Sequence, residues 1–169
     1  MLSGVDAVIA RDEIRQLAYR YAWCLDSRDL DGLVALFVES TRGDGVLLES
    51  FASQLAGIGP TTLFVGNHLI DLDDGNHALA RGVVYCRGYI SEPDGFVEQM
   101  IVYSDRYRHD ADGAWRFVGR KHELFYGVRT AEQPYAQSPA DWPALSVGTG
   151  TLPFRLPTWQ QFEAERGAL

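Results

Sequence analysis

Four long β-rich stretches joined by three tight turn signals fill the middle of this chain, and they restrict its fold more than any other feature. "TTLFVGNHLIDLD", "HALARGVVYCRGYIS", "FVEQMIVYSDRYRHD" and "AWRFVGRKHELFYGV" are separated by "DGN", "EPDG" and "ADG". Each turn holds a glycine that tolerates positive φ, and the runs between them are rich in β-branched and aromatic residues. The pattern predicts an antiparallel meander.

The residues before the meander carry helical spacing instead. Val8, Ile9, Ile14, Leu17, Ala18, Tyr21 and Leu25 predict a helix over 7–25. "DLDGLVALF" predicts a second, with Asp29 as N-cap and Leu30, Leu33, Leu36 and Phe37 on one face. "VLLESFASQLAG" predicts a third that stops at Gly57. Helices first and a meander after is an α+β order, in which one sheet face packs on the helices. From Gly127 onward the chain is rich in Pro, Gly and Ser, with a last short helix predicted in "TWQQFEAERG". The expected organisation is one α+β domain over 1–127 and an extension over 128–169 that lies on the domain or on a neighbouring subunit.

Charge and cysteines bound the partners. A formal net charge of -8 with no basic run argues against nucleic acid or a membrane surface, both of which reward clustered Lys and Arg. No stretch approaches a membrane span, and "MLSGVDAVIARDEIRQ" lacks the basic-then-apolar pattern of a secretory leader. Cys24 and Cys86 fall in apolar segments without metal-ligand spacing, so they read as reduced core residues of a cytoplasmic protein.

Within "YAWCLDSRD", Asp26 interrupts the apolar stripe of the first helix. The macrodipole is negative at a helix C-terminus, so a carboxylate there needs compensation from elsewhere. One reading is a pocket at the helix end, where the charge has a partner. The other is structural hydrogen bonding, with Ser27 and Asp29 better placed to start the second helix.

The order of elements, together with "AYRYAWCLDSRDLDGLVALF", "FVGNHLIDLDDGNHALARG" and "DGAWRFVGRKH", resembles the SnoaL-like branch of the nuclear transport factor 2-like superfamily over residues 5–127. The resemblance implies a cone-shaped α+β barrel, in which N-terminal helices pack in a strongly curved antiparallel sheet. It also implies an apolar pocket at the mouth and a homodimer or homotrimer. Members include scytalone dehydratase, hexachlorocyclohexane dehydrochlorinase, ketosteroid isomerases and polyketide cyclases, while others have no known activity, so the site must decide. Between Phe37 and Val46 only "VESTRGDG" remains, where members usually place a strand or hairpin. One wall of the cone is therefore expected to be cut back, with the extension as its replacement.

The resemblance places Asp26 on the aspartate that orients a catalytic histidine in dehydratase and dehydrochlorinase members, but Leu63 stands where that histidine belongs. Strand alternation sets Leu63, Val65, Asn67 and Leu69 on one face and His68 on the other. On the last strand Arg120, His122 and Leu124 share a face. The resemblance matches Arg120 to a pocket arginine, so His122 is expected to look inward and to pair with Asp26. The bland alternatives are a structural Arg120–Asp26 pair and a histidine satisfied within the sheet. Tyr21 matches a polar pocket residue, and Gln99 and Tyr103 share parity toward the cavity. The expected catalytic set is Asp26, His122, Arg120 and Tyr21, with Asn67, Gln99, Tyr103, Leu63 and Leu124 contacting substrate.

Other patterns fail. "DLDDGNHALARG" has Gly75 and Gly82 where a calcium loop needs ligands, "GTGTLP" lacks the lysine of a phosphate loop, and His77 and His109 sit beside turns. Neither metal nor cofactor is expected. The expected function is lyase, isomerase or cyclase chemistry by acid–base catalysis on a small apolar cyclic or polyketide-like molecule. Its rival is a non-catalytic ligand-binding or oligomer-assembly protein of the same fold.

Overall fold

The computed structural model describes residues 4–166. Helix α1 (Gly4–Ser27) buries Ala10, Ile14, Leu17, Ala18 and Ala22, the stripe that its helical spacing lays along one face. It ends at Arg28, whose φ of 58° is left-handed. The Asp29 amide donates to the Cys24 carbonyl and the Arg28 amide to that of Leu25, which is the Schellman pattern of helix closure. Asp29 then caps α2 (Leu30–Ala35) by accepting from the Gly32 amide at 2.9 Å. A single-turn helix, α3 (Glu39–Arg42), occupies the segment where relatives were expected to carry a strand, and α4 (Val46–Ala56) follows.

The meander forms as its turn signals predict: β1 (Thr61–Leu72), β2 (Leu79–Glu92), β3 (Gly95–His109) and β4 (Trp115–Thr130) make one antiparallel sheet in the order β1-β2-β3-β4. Asp73 accepts from the Gly75 and Asn76 amides in the first turn, confirming that segment as a hairpin. The sheet is curved and open. Its β4 edge is met by one bridge, in which Val38 donates to the Phe117 carbonyl and Phe117 to that of Leu36.

Three bulges set which residues face inward. On β1, Val65 pairs with Cys86 and His68 with Val84, so Gly66 and Asn67 together oppose Tyr85. On β4, Val118 and Phe125 are the extra residues, between the pairs Tyr107–Phe117 and Arg106–Gly119, and between Ile101–Leu124 and Met100–Tyr126. Each bulge bends its strand and reverses the simple period-2 count. The concave face then carries Leu63, Val65, His68 and Ile70 from β1, and Phe117, Arg120 and His122 from β4.

The narrow end of the cone is solid core, where Ile14, Leu17, Phe37, Tyr107, Trp115 and Phe117 pack together. The wide end is not filled. Beyond Thr130 the chain returns through a single 3-10 turn (Pro134–Ala136) to α5 (Pro157–Arg166), whose Trp159 and Phe162 are buried against the end of α1.

Candidate active site

The unfilled end of the cone is a cavity of about 670 Å³, bounded by α1, α4 and the concave face of the sheet. Its walls are mostly apolar, through Leu25, Leu47, Phe51, Leu55, Ile90 and Ile101. Gly88 of β2 also lies on the wall, and a Cβ there would stand 3.0 Å from Ile101 Cδ1. A missing side chain thus makes part of the volume.

Arg120 is the charged group on this wall. Its Nε donates to Asp105 Oδ1 at 2.8 Å and its Nη2 to Asp105 Oδ2 at 2.7 Å. The Asp105 side chain is 0% exposed and that of Arg120 5%. The guanidinium carbon lies 4.3 Å from the ring centre of Tyr21, 4.2 Å from Tyr103 and 4.5 Å from Phe117. Burial works against the Arg120 charge, but the two hydrogen bonds to Asp105 and its charge outweigh this, so the guanidinium stays protonated.

A polar chain continues behind the pair. The Tyr107 hydroxyl donates to Asp105 Oδ2 at 2.7 Å and lies 3.0 Å from His68 Nε2. With the tyrosine proton committed to Asp105, His68 donates from Nε2 and its Nδ1 carries the lone pair, buried and without a partner. Burial holds His68 neutral, its pKa lowered to about 4. The space for this contact lies over Gly82, where a Cβ would stand 2.9 Å from the Tyr107 hydroxyl.

His122, two positions along β4 from Arg120, also lines the cavity, with its ring 5.4 Å from that of Tyr103. Partial burial lowers its pKa and the Arg120 charge lowers it further. At neutral pH it is therefore a neutral imidazole facing an apolar space, with a fixed cation beside it.

Asp26 has neither of the expected partners. Its Oδ1 accepts from the Thr61 hydroxyl at 2.8 Å and its Oδ2 from the Leu63 amide at 2.9 Å. Among the described residues it forms no hydrogen bond to His122, and Arg120 is taken by Asp105. Asp26 lies behind the wall, while Thr61 and Leu63, the groups it holds, are on it. Burial raises its pKa to about 6, against the lowering effect of the Leu63, Thr61 and Arg28 contacts.

The model of the SnoaL-like domain family matches residues 6–121. The chain belongs to the SnoaL-like domain family. A search of curated proteins finds no match. Among solved structures, this SnoaL-like chain is similar to a type 2 hexachlorocyclohexane dehydrochlorinase, LinA, at 17% identity and a TM-score of 0.67, covering 76% of this chain and 94% of that one. It is similar to a proposed scytalone dehydratase from Novosphingobium aromaticivorans at 17% identity and a TM-score of 0.62, with 75% and 91% covered. It also resembles ActVI-ORFA from Streptomyces coelicolor at 17% identity and a TM-score of 0.56, with 70% and 97% covered. At such identities the likeness is one of fold.

The cavity of this SnoaL-like chain brings together Tyr21, Leu63, Gln99, Tyr103, Arg120 and His122 from the residues singled out in the sequence. It leaves out three others, Asp26 behind the wall, Asn67 and Leu124. Asn67 is exposed because the β1 bulge turns the strand over after Val65, and the same bulge brings His68 inward, contrary to simple alternation. Leu124 is 49% exposed, beyond the rim and beside the Phe125 bulge. Among the described residues the extension does not replace a cavity wall, since none past His122 lines it. Sequence reasoning missed Asp105, although a lone carboxylate at the parity of Tyr103 and Tyr107 was the available signal. Among the described residues no three His, Cys, Asp or Glu side chains converge as metal ligands, and no helix is long and apolar enough to cross a membrane.

Two outcomes are expected. Asp105→Ala strands a buried guanidinium and should destabilise the fold by about 3–5 kcal/mol in urea titration. For Asp26, a folded-state pKa of about 6 against an ordinary 3.8 means that ionisation costs more in the fold than in the unfolded chain. Its stabilising contribution is full at low pH, falls as pH rises from about 4 to about 6, and is flat above. Thermal melts should therefore show the Tm of the wild type dropping relative to Asp26→Asn across that window.

Proposed function

We propose that this protein is a cofactor-independent lyase, isomerase or cyclase that acts by acid–base chemistry on a small apolar cyclic or polyketide-like molecule. The observation that carries the reading is the placement of a neutral His122 and a buried, permanently charged Arg120 on one apolar cavity wall. The volume of about 670 Å³ suits a molecule of one to a few rings. His122 takes a proton from a carbon next to a carbonyl, and the carbonyl oxygen gains the negative charge. Arg120 keeps Nη1 outside its pairing with Asp105, and that edge supports the enolate oxygen. Protonated His122 then returns the proton at another carbon, giving isomerisation, or delivers it to a leaving hydroxyl, giving dehydration. Tyr21, Tyr103 and Gln99 shape the pocket around the reacting group. The named activities of the LinA and proposed scytalone dehydratase structures, a dehydrochlorination and a dehydration, belong to the same reaction class.

A ligand-binding reading is favoured by one specific observation: Asp26 is engaged by Thr61 and Leu63 and does not orient His122. Deuterium exchange separates the two. A panel of cyclic and polyketide-like ketones is incubated with the protein in D₂O, and loss of the α-proton signal is followed by NMR. Catalysed exchange is expected to follow a pH profile that rises as His122 loses its proton, and His122→Ala should slow it by about 10²–10⁴-fold. Ligands that bind, by line broadening, without exchange at any pH establish the binding reading instead.

We also propose a homodimer or homotrimer in a reducing cytoplasm. Cys24 and Cys86 are both unpaired and buried. The face of the sheet turned away from the cavity leaves Phe64 70%, Leu69 68% and Phe125 62% exposed, an apolar surface that a second copy would cover. Light scattering should return a multiple of the 18.8 kDa chain mass, and Phe64→Asp with Phe125→Asp should return the monomer.

A further inference from the structure

Arg28 is the described non-glycine residue with a left-handed backbone, at φ 58°, and it stands where the Schellman closure of a helix ordinarily has glycine. Glycine would satisfy the same backbone bonds without the steric cost. What arginine adds is its guanidinium: the residue is 2% exposed, and both Nη atoms tie elements together while Nε is buried without a partner. Nη1 donates to the Leu25 carbonyl at 2.7 Å and to Thr61 Oγ1 at 3.1 Å, and Nη2 donates to the Gly59 carbonyl at 2.6 Å. One side chain thereby joins the end of α1, the α4–β1 connection and the first residue of β1.

The far side of the guanidinium is closed by α5. The Trp159 ring centre lies 4.7 Å from the guanidinium carbon and the Phe162 ring centre 5.7 Å. Thr158 Oγ1 donates to the Ser27 carbonyl at 2.8 Å, and Arg166 Nη1 to the Ala56 carbonyl at 3.2 Å, so α5 is anchored on both sides of Arg28. The Thr61 hydroxyl has one proton. Because its oxygen accepts from Arg28, that proton is directed to Asp26 Oδ1. Asp26 Oδ2 in turn holds the Leu63 amide, and Thr61 and Leu63 both line the cavity.

We propose that α5 is a positioning element of the cavity: Trp159 seats Arg28, Arg28 presets the Thr61 hydroxyl on Asp26, and this link fixes the Thr61–Leu63 edge of the wall. The link holds whether the cavity transfers protons or only binds, so it stands apart from the catalytic reading. Arg28 and Trp159 are positioning residues, and neither lines the cavity.

The groups that face Asp26 are Arg28 from the α1–α2 connection, Thr61 and the Leu63 amide from β1, and Cys86 from β2. From α5, Glu163 and Arg166 act on Arg28 and not directly on Asp26. Burial is the largest influence on Asp26 and raises its pKa. The Thr61 hydroxyl and Arg28 both favour the carboxylate, so loss of either with the burial kept is expected to raise the titration midpoint further.

The test is the carboxyl ¹³C titration of Asp26, assigned by its disappearance in Asp26→Asn. Arg28→Gly and Thr61→Val should each raise the midpoint by about one pH unit. Trp159→Ala should raise it by a smaller amount, and Trp159→Phe, which keeps a ring on the guanidinium, should restore the wild-type value. The Arg28→Gly/Thr61→Val double variant should shift by less than the sum of the two singles, because both break one link. Arg28→Gly suits the local backbone and keeps the test open if Trp159→Ala fails to fold. The proposal is overturned if Arg28→Gly leaves the midpoint at its wild-type value, or if the two single shifts add in full. It is equally overturned if Trp159→Ala moves the midpoint down toward an ordinary carboxylate, since α5 would then only keep water out.

Discussion

The buried pair between Arg120 and Asp105 is the interaction on which both the core and the cavity depend. Removing two charges from water is costly, and the attraction between them compensates only when geometry is good and the remaining hydrogen-bonding capacity is used. Here the pairing is two-pronged, Tyr107 supplies a further donor to the carboxylate, and aromatic faces from Tyr21, Tyr103 and Phe117 surround the guanidinium. Those rings are also where α1 meets the sheet, since Tyr21 makes edge contacts with Phe37, Phe51, Tyr103 and Phe117. The pair marks the boundary in the cone: solid apolar packing on one side, open space on the other.

That boundary rests on strand register. Asp105 on β3 lies opposite Arg120 on β4, and the extra residue at Val118 lets both Phe117 and Arg120 point inward despite their odd spacing. On β1 the Gly66–Asn67 bulge does the same for Val65 and His68. The bulges therefore act twice, bending the sheet around the helices and exchanging which side chains reach the interior. Glycines on the inner face of β2 complete the arrangement, Gly82 leaving room for the Tyr107–His68 contact and Gly88 for the cavity.

The helices and strands were legible because their signals are local: helical spacing over 7–25, an N-cap at Asp29, glycine turns between alternating runs. The family resemblance added the cone and its mouth, and on β3 and β4 it led to Gln99, Tyr103, Arg120 and His122. Simple alternation failed at Asn67 because a bulge changes the count by one residue, and Gly66 was the only local mark of it. Asp26 stood out correctly as an anomaly in an apolar stripe, yet its partners are a hydroxyl and a backbone amide, which carry no charge signature for sequence reasoning to match. Asp105 and Arg28 went unnoticed for a related reason. Each looks like an ordinary polar residue until the fold buries it.

The contact of α5 with the end of α1 has a consequence for how the molecule is made. The bond from Thr158 to the Ser27 carbonyl spans 131 positions of sequence. A chain emerging from the ribosome exposes the end of α1 early, and Trp159 and Phe162 follow only after every strand of the sheet has been synthesised. Until then the face of the Arg28 guanidinium that Trp159 and Phe162 cover is open, although its bonds to Leu25, Gly59 and Thr61 need no part of α5. Maturation of this corner is thus a late event in synthesis, following completion of the sheet by the time needed to translate the segment beyond it.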